Sequence, residues 1–354
     1  MLFQSNRTPG GRVMSVLRGE QPDKVPFTVY DIMLPRCSVE RELRNRGLCL
    51  VKLSFSYKII YPNVDIQSIH FKSDSGKALI RTEYKTPVGD LWTLSENTGH
   101  ANDWPLEFMF KSPDDYKKLL YIINDAVIVP EYDNVEKMVN TLGEDYIVRD
   151  QIGLEPMQTL ISSDYMGVNN FCMEWMENRD EILKLYSALN EMRRRIYGIV
   201  ANGPLDLSNY GGNVVPQIIG PEVFRQYYIP AYNEAAEILH KRKKLIGCHF
   251  DADNTLIMDD IAKSELDYIE AYDAGMGPSI GEARSKWPDK VLWVNWPSSW
   301  HLKEEDEIPG LTGRLIKETG SQDKFIIGIT EDVPEERWQT NFSLIMNGID
   351  SHMK

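Results

Sequence analysis

At 354 residues and 42% hydrophobic content, the chain is long enough for one large α/β barrel or for two ordinary domains. A formal net charge of −14 argues against nucleic acid as a partner, because binding phosphates needs a basic surface. No run of about 18 apolar residues and no basic-then-apolar leader is present, so neither a membrane span nor a signal peptide is expected. Cys37, Cys49, Cys172 and Cys248 are scattered without a CxxC pair, which suits a reducing cytoplasm and neither a disulfide framework nor a zinc knuckle.

Residues 1–10 read as a loose leader. Val13, Val16 and Leu17 then share one helical face, and Gly19 ends that helix. Strands are predicted from Val25 to Tyr30, ending at Asp31, and from Leu48 to Tyr57, with a short charged helix between them at Ser38–Arg46. Three alternating runs joined by turns follow, and predict an antiparallel β insertion over about residues 60–97. An insertion after an early barrel strand would sit over strand ends as a lid, or else be a solvated decoration. From Ser112-Pro113-Asp114-Asp115, a strong helix start, the rhythm becomes strand and helix in turn. Counting from Val25, Leu48, Tyr146, Leu205, Lys244, Leu266, Lys290 and Lys324 gives eight strands separated by helical segments. Eight βα units in one domain, residues 1–354, predict a TIM (β/α)8 barrel with the β insertion in its N-terminal third.

Chemistry in such a barrel collects at the carboxyl ends of the strands. The residues there are Asp31, Glu155, Tyr210, Asn213, His249, Asp251, Asp253, Glu270, Tyr272, Asn295, Glu331 and Asp332. This is a carboxylate-rich basin with one histidine and few bases. The stretch from Lys244 to Asp273 dominates it, because three ionisable groups leave a buried strand within five positions. His249 and Asp251, two apart, share a face in extended geometry. His249 reads as a metal ligand or a proton donor, or more plainly as a histidine bonded to a neighbouring backbone group. His, Asp and Glu together suit Zn²⁺ with an open position. Taken singly, Glu155, Glu270 and Glu331 could equally be caps or structural ion pairs. Trp296 could wall a pocket for a flat substrate, whereas Trp293 is better read as barrel packing. No phosphate-cradling glycine loop, GxSxG elbow or HExxH is present.

With these residues in view, the chain resembles the uroporphyrinogen decarboxylase superfamily, and within it the corrinoid-dependent methyltransferases. The likeness is carried by RVMSVLRGEQPDKVPF at Arg12–Phe27, KTPVGDL at Lys85–Leu91, WPLEFMFKSPDDY at Trp104–Tyr116, the Gly220–Pro230 stretch and the HFDADN tip. It implies a TIM-barrel enzyme passing a methyl group between a small molecule and a corrinoid held on a separate protein. Two departures narrow that. Where the decarboxylases carry an arginine-rich motif after the first strand, Asp31–Arg36 reads DIMLPR. Where thiol-methylating members bind zinc through HxC and a later cysteine, this chain has His249-Phe250-Asp251 and Gly328-Ile329-Thr330-Glu331. An oxygen-rich site of this kind fits activation of an ether better than of a thiol.

The expectation is therefore the methyltransferase component of an O-demethylase, acting on a small methoxylated aromatic with the Co(I) corrinoid of a partner protein. His249, Asp251 and Glu331 would hold Zn²⁺ or donate a proton. Tyr210, Asn213 and Trp296 would shape the pocket, with Asp31, Glu155, Tyr272 and Asn295 as further substrate contacts. A cytoplasmic homodimer is the family expectation. The alternatives are a decarboxylase-like lyase, a corrinoid methyltransferase with a non-aromatic donor, and a barrel that serves only as a binding subunit. Arg149 is the one arginine close to a strand end that could serve a lyase.

Overall fold

The computed structural model describes residues 8–98, 103–162, 164–212, 214–320 and 322–352. The chain divides into two compact units. The first comprises Met1–Ser56, Glu131–Gly153 and Val200–Lys354, and the second Tyr57–Pro130 and Leu154–Ile199. Among the described residues no helix is long and apolar enough to cross a membrane.

The first unit is a closed barrel of eight parallel strands: β1 (Phe27–Tyr30), β2 (Leu48–Ser54), β3 (Tyr146–Gly153), β4 (Leu207–Tyr210), β5 (Leu245–His249), β6 (Tyr268–Tyr272), β7 (Val291–Asn295) and β8 (Phe325–Ile329). Each strand pairs with the next in sequence, and β1 closes on β8 with Phe27 opposite Ile327. All eight expected strands are there, and most of them are the near-continuous apolar runs of strands covered on both faces. The (β/α)8 expectation is met.

Alternate residues of each strand face the barrel axis. The lower interior is filled by Cys49, Val51, Ile147, Leu207, Tyr268, Val291, Trp293 and Ile326. Room for its two large rings comes from glycines. A Cβ on Gly247 would overlap the Tyr268 ring, and one on Gly328 would stand 2.9 Å from Trp293 Nε1. The helix Pro9–Leu17 closes the N-terminal end, inserting Val13, Val16 and Leu17 into this cluster. Each such burial contributes about 1.5–3 kcal/mol. Thr8 caps that helix by accepting the Gly11 N–H at 3.2 Å. Lysines leading into strands tie off carbonyl groups. Lys244 Nζ donates to Val200 O and Gly203 O, and Lys290 Nζ to Ser264 O and Leu266 O.

Two elements are irregular. Ala271 has φ of +61°, and the β6–β7 register slips between Glu270 and Tyr272, so β6 carries a bulge at its upper end. The helix Pro216–Val223 kinks at Gly220 (φ +73°), and a π turn over Phe224–Tyr228 leads into Ile229–His240. This helical stretch therefore begins at Pro216 and is broken at Gly220. Pro230, which has no N–H to donate, sits directly after the π turn.

The second unit holds a four-stranded antiparallel sheet of Asp65–Lys72, Ala78–Lys85, Leu91–Glu96 and Trp104–Glu107, in that order, and a two-stranded pair, Tyr57–Ile60 with Val127–Pro130. The predicted insertion thus has a fourth strand beyond residue 97. Tyr57 belongs to this unit rather than to β2, which ends at Ser54. Helices Tyr116–Asp125, Pro156–Ser162, Gly167–Glu177 and most of Arg179–Asn202 complete the unit, so it is larger than a three-stranded decoration. The predicted start at Ser112 is a capping box with Asp115.

Candidate active site

At the C-terminal end of the barrel the strand-end side chains converge on His249, the last residue of β5. Its Nδ1 lies 2.8 Å from Glu270 Oε2. Its Nε2 faces two more carboxylates, Glu331 Oε1 at 3.3 Å and Asp251 Oδ2 at 3.7 Å. One ligating atom from each of His249, Asp251 and Glu331 lies within 4.8 Å of the others. Asp251 Oδ1 is buried without a hydrogen-bond partner among the described residues, and the buried Glu331 Oε1 faces His249 Nε2.

Beneath His249 is a buried ionic cluster. Glu270 is 0% exposed and Arg149, on β3, 1%. Arg149 Nη1 lies 2.7 Å from Glu270 Oε1, and the same oxygen accepts the hydroxyl of Tyr30. Arg149 Nη2 donates to the Tyr30 oxygen at 3.2 Å. The guanidinium also lies over the rings of Tyr30 and Trp293, 5.5 and 5.7 Å from their centroids.

The charges set one another. Burial pushes the Glu270 carboxyl up, but Arg149 and His249 outweigh it and hold it down at about 2. Burial pushes His249 down, but the Glu270 charge and hydrogen bonding to Asp251, Glu270 and Glu331 raise it well above the ordinary histidine value. Burial and the neighbouring Glu270 lift the Tyr30 hydroxyl to about 12, so it stays a donor. The resulting state is a protonated imidazole among carboxylates.

A cavity of about 400 Å³ adjoins this group, lined by Asp251, Ala271, Asp273, Gly275, Met276, Ser298, Ser299, Glu331 and Asp332. No lysine or arginine lines it among the described residues. A larger hollow of about 510 Å³ lies where Met14 and Arg18 approach the start of β3, away from the ionisable cluster.

The three residues expected to act together, His249, Asp251 and Glu331, are thus brought together. The other expected contacts lie variously. Asn295 lies in the upper barrel, its Oδ1 accepting the Thr330 N–H at 3.0 Å and its Nδ2 3.4 Å from Asp273. Asp31 pairs with Lys52 at 2.9 Å. Trp296 is fully buried, edge-on to Trp300, with its Nε1 lacking a partner among the described residues. Tyr210 is fully buried and packs edge-on against Tyr232 of the Ile229–His240 helix. Tyr272 donates to Pro278 O and rests edge-on against Trp287. Although Tyr272 is two residues from Glu270, the bulge at Ala271 breaks the alternation that would have put them on one face. Asn213 lies outside the described residues.

Glu155 belongs to the second unit. Its Oε2 accepts the backbone N–H groups of Met157 and Gln158, capping the helix Pro156–Ser162. Burial lifts this carboxyl to about 8, against those two donors and the charge of Arg193. A carboxyl whose value rises on folding binds its proton more tightly in the fold, so it costs stability as pH climbs from its ordinary 4.5 through about 8. Glu155→Gln should therefore melt above wild type when the pH exceeds about 8, and show no such advantage below about 4.5. Identical melting curves at alkaline pH would show that folding does not raise the Glu155 carboxyl above its ordinary value.

Sequence reading leaves Glu270 open between a cap, a structural ion pair and catalysis, and misses Tyr30 and the engagement of Arg149. The available signal was a charge within an apolar strand, Ile147-Val148-Arg149 and Tyr268-Ile269-Glu270, since buried charges need partners.

No known family matches the chain, and no curated protein matches it significantly. Among solved structures, a methyltransferase from Methanosarcina mazei superposes with a TM-score of 0.59 at 13% identity, covering 98% of this chain and 99% of that one. The likeness is one of fold. A B12-independent methionine synthase from Shewanella (TM-score 0.39, 9% identity, 89% of this chain and 85% of that one) and a sugar phosphate isomerase/epimerase from Parabacteroides distasonis (TM-score 0.39, 11% identity, 93% and 96%) match more loosely. Neither bears on function.

Proposed function

We propose that this chain is the methyltransferase component of a corrinoid-dependent O-demethylase. It takes the methyl group of a methoxylated aromatic and passes it to the Co(I) corrinoid carried by a partner protein. The electron pair of Co(I) forms the new bond to the methyl carbon as the carbon–oxygen bond breaks, and the pair of the broken bond leaves on the phenolate oxygen. The observation that carries this reading is His249, anchored to Glu270 and turned by its Nε2 towards Asp251 and Glu331 beside a cavity. Such a group can meet charge developing on a leaving oxygen. The full-length fold likeness to a protein named a methyltransferase supports it.

His249 does this as a protonated imidazole, donating from Nε2 to the departing oxygen. The same residues fit a divalent ion, because Nδ1 is occupied, Nε2 is directed at two carboxylates, and the buried Oδ1 of Asp251 lacks a partner among the described residues. His249, Asp251 and Glu331 would hold Zn²⁺, which would supply Lewis acidity at that oxygen. Arg149 is already paired with Glu270, so it is not free to hold a substrate carboxylate as a decarboxylase would require.

The test is an anaerobic spectrum of the protein mixed with Co(I) corrinoid on a competent carrier and a panel of methoxybenzenes. Conversion of the Co(I) band to that of methyl-Co(III) is expected. No conversion with any of them would sink the reading.

The lining of the cavity adds a charge preference. A substrate carboxylate held about 8 Å from one of its acids would cost about 2 kcal/mol at an effective dielectric of about 20. Uncharged methoxybenzenes should therefore be demethylated at least about tenfold faster than methoxybenzoates of the same substitution pattern. Equal rates in a side-by-side assay would show that the acids do not face the donor.

A further inference from the structure

His249 can serve in either role only if its ring is held with Nε2 towards Asp251 and Glu331. Rotation about the bond from Cβ to the ring would carry that nitrogen away. Asp251 and Glu331 meet Nε2 itself, and Glu270 holds the opposite nitrogen. Glu270 projects into the barrel from β6, takes Nδ1 on Oε2, and is itself held on Oε1 by Arg149 and Tyr30. Two cationic or hydroxyl donors on one oxygen leave the other for the imidazole alone. Arg149 cannot swing aside, because it lies against the rings of Tyr30 and Trp293, and Trp293 is fixed by its own hydrogen bond to Thr28 at 2.9 Å.

We infer that Glu270 is the positioning residue of this site, with Arg149 and Tyr30 as its anchors: it fixes the ring of His249, and with it the affinity of His249, Asp251 and Glu331 for a divalent cation. The inference rests on the metal-binding part of the reading above and not on methyl transfer. A carboxylate on the far nitrogen of a ligating histidine sets tautomer and orientation, and losing it typically weakens metal binding 10- to 100-fold.

The obvious variant confounds two effects. Removing Glu270 alone strands the buried Arg149 charge and destabilises the barrel. The informative variant is Arg149→Met with Glu270→Leu, which removes both charges and fills their space with apolar atoms. Zn²⁺ affinity would be measured by chelator competition on the full chain, without corrinoid or donor, alongside the thermal midpoint. The expected result is a wild-type-like midpoint with Zn²⁺ affinity lowered about 10- to 100-fold. A purely structural cluster would give wild-type affinity once stability is restored. Equal Zn²⁺ affinity in the double variant and wild type, including binding by neither, overturns the inference. Because no methyl transfer is assayed, an inactive but zinc-binding wild type would count against the function alone.

Discussion

Replacing His249 with alanine should slow methyl transfer to Co(I) corrinoid at least about 100-fold, the lower end of what a positioned proton donor contributes. The fold should survive, since Glu270 keeps Arg149 and Tyr30 after the imidazole is gone. Binding of the methoxylated donor, followed by calorimetry, should persist, because the cavity beside Asp273, Ser298 and Ser299 is untouched. The measurement is the decay of the Co(I) absorbance at saturating donor. A His249→Ala protein that transfers methyl groups at the wild-type rate would remove His249 from the chemistry and send the search to another strand end.

Arg149→Met should be the most destabilising single substitution at the site. It leaves Glu270 buried with only His249 as counter-charge. Breaking one side of a buried ion pair costs about 3–5 kcal/mol, a large part of the roughly 5–15 kcal/mol that holds a domain together. The acid limb of the stability profile should move as well. Glu270 is held at about 2 against an ordinary 4.5, so its contribution is fully present above pH 4.5 and is lost as pH falls through about 2. Without the guanidinium that depression shrinks, and acid unfolding begins at higher pH. Urea titrations at neutral and acid pH read both effects. A loss under about 1 kcal/mol would mean that water reaches Glu270 in the variant.

The barrel was legible because most of its strands are short apolar runs between turn residues, and because His249, Asp251 and Glu331 all lie at or just past the ends of such runs. Position after a strand says nothing about which way a side chain points. Period two works for Tyr268 and Glu270, which both face inward, and fails one residue later at Ala271, whose positive φ cannot be foreseen from an alanine. Tyr210 and Tyr272 were read as pocket residues for that reason, yet pack against Tyr232 and Trp287. The Glu270–Arg149–Tyr30 cluster joins β6, β3 and β1, whose separation along the chain no local pattern can bridge. In the second unit the turns between the first three strands were plain, but the strand at Trp104–Glu107 is too short and irregular to announce itself.

The rings of Tyr268 and Trp293, seated over Gly247 and Gly328 and closed from below by Val13, Val16 and Leu17, fill the lower barrel. Among the described residues, the cavity beside Asp251 and Glu331 lies at the carboxyl ends of the strands. If the chain is the proposed methyltransferase, its donor, acceptor and demethylated product share one doorway there, so the order in which they come and go becomes part of the rate. A high concentration of the phenol product should compete with docking of the corrinoid carrier as well as with the donor.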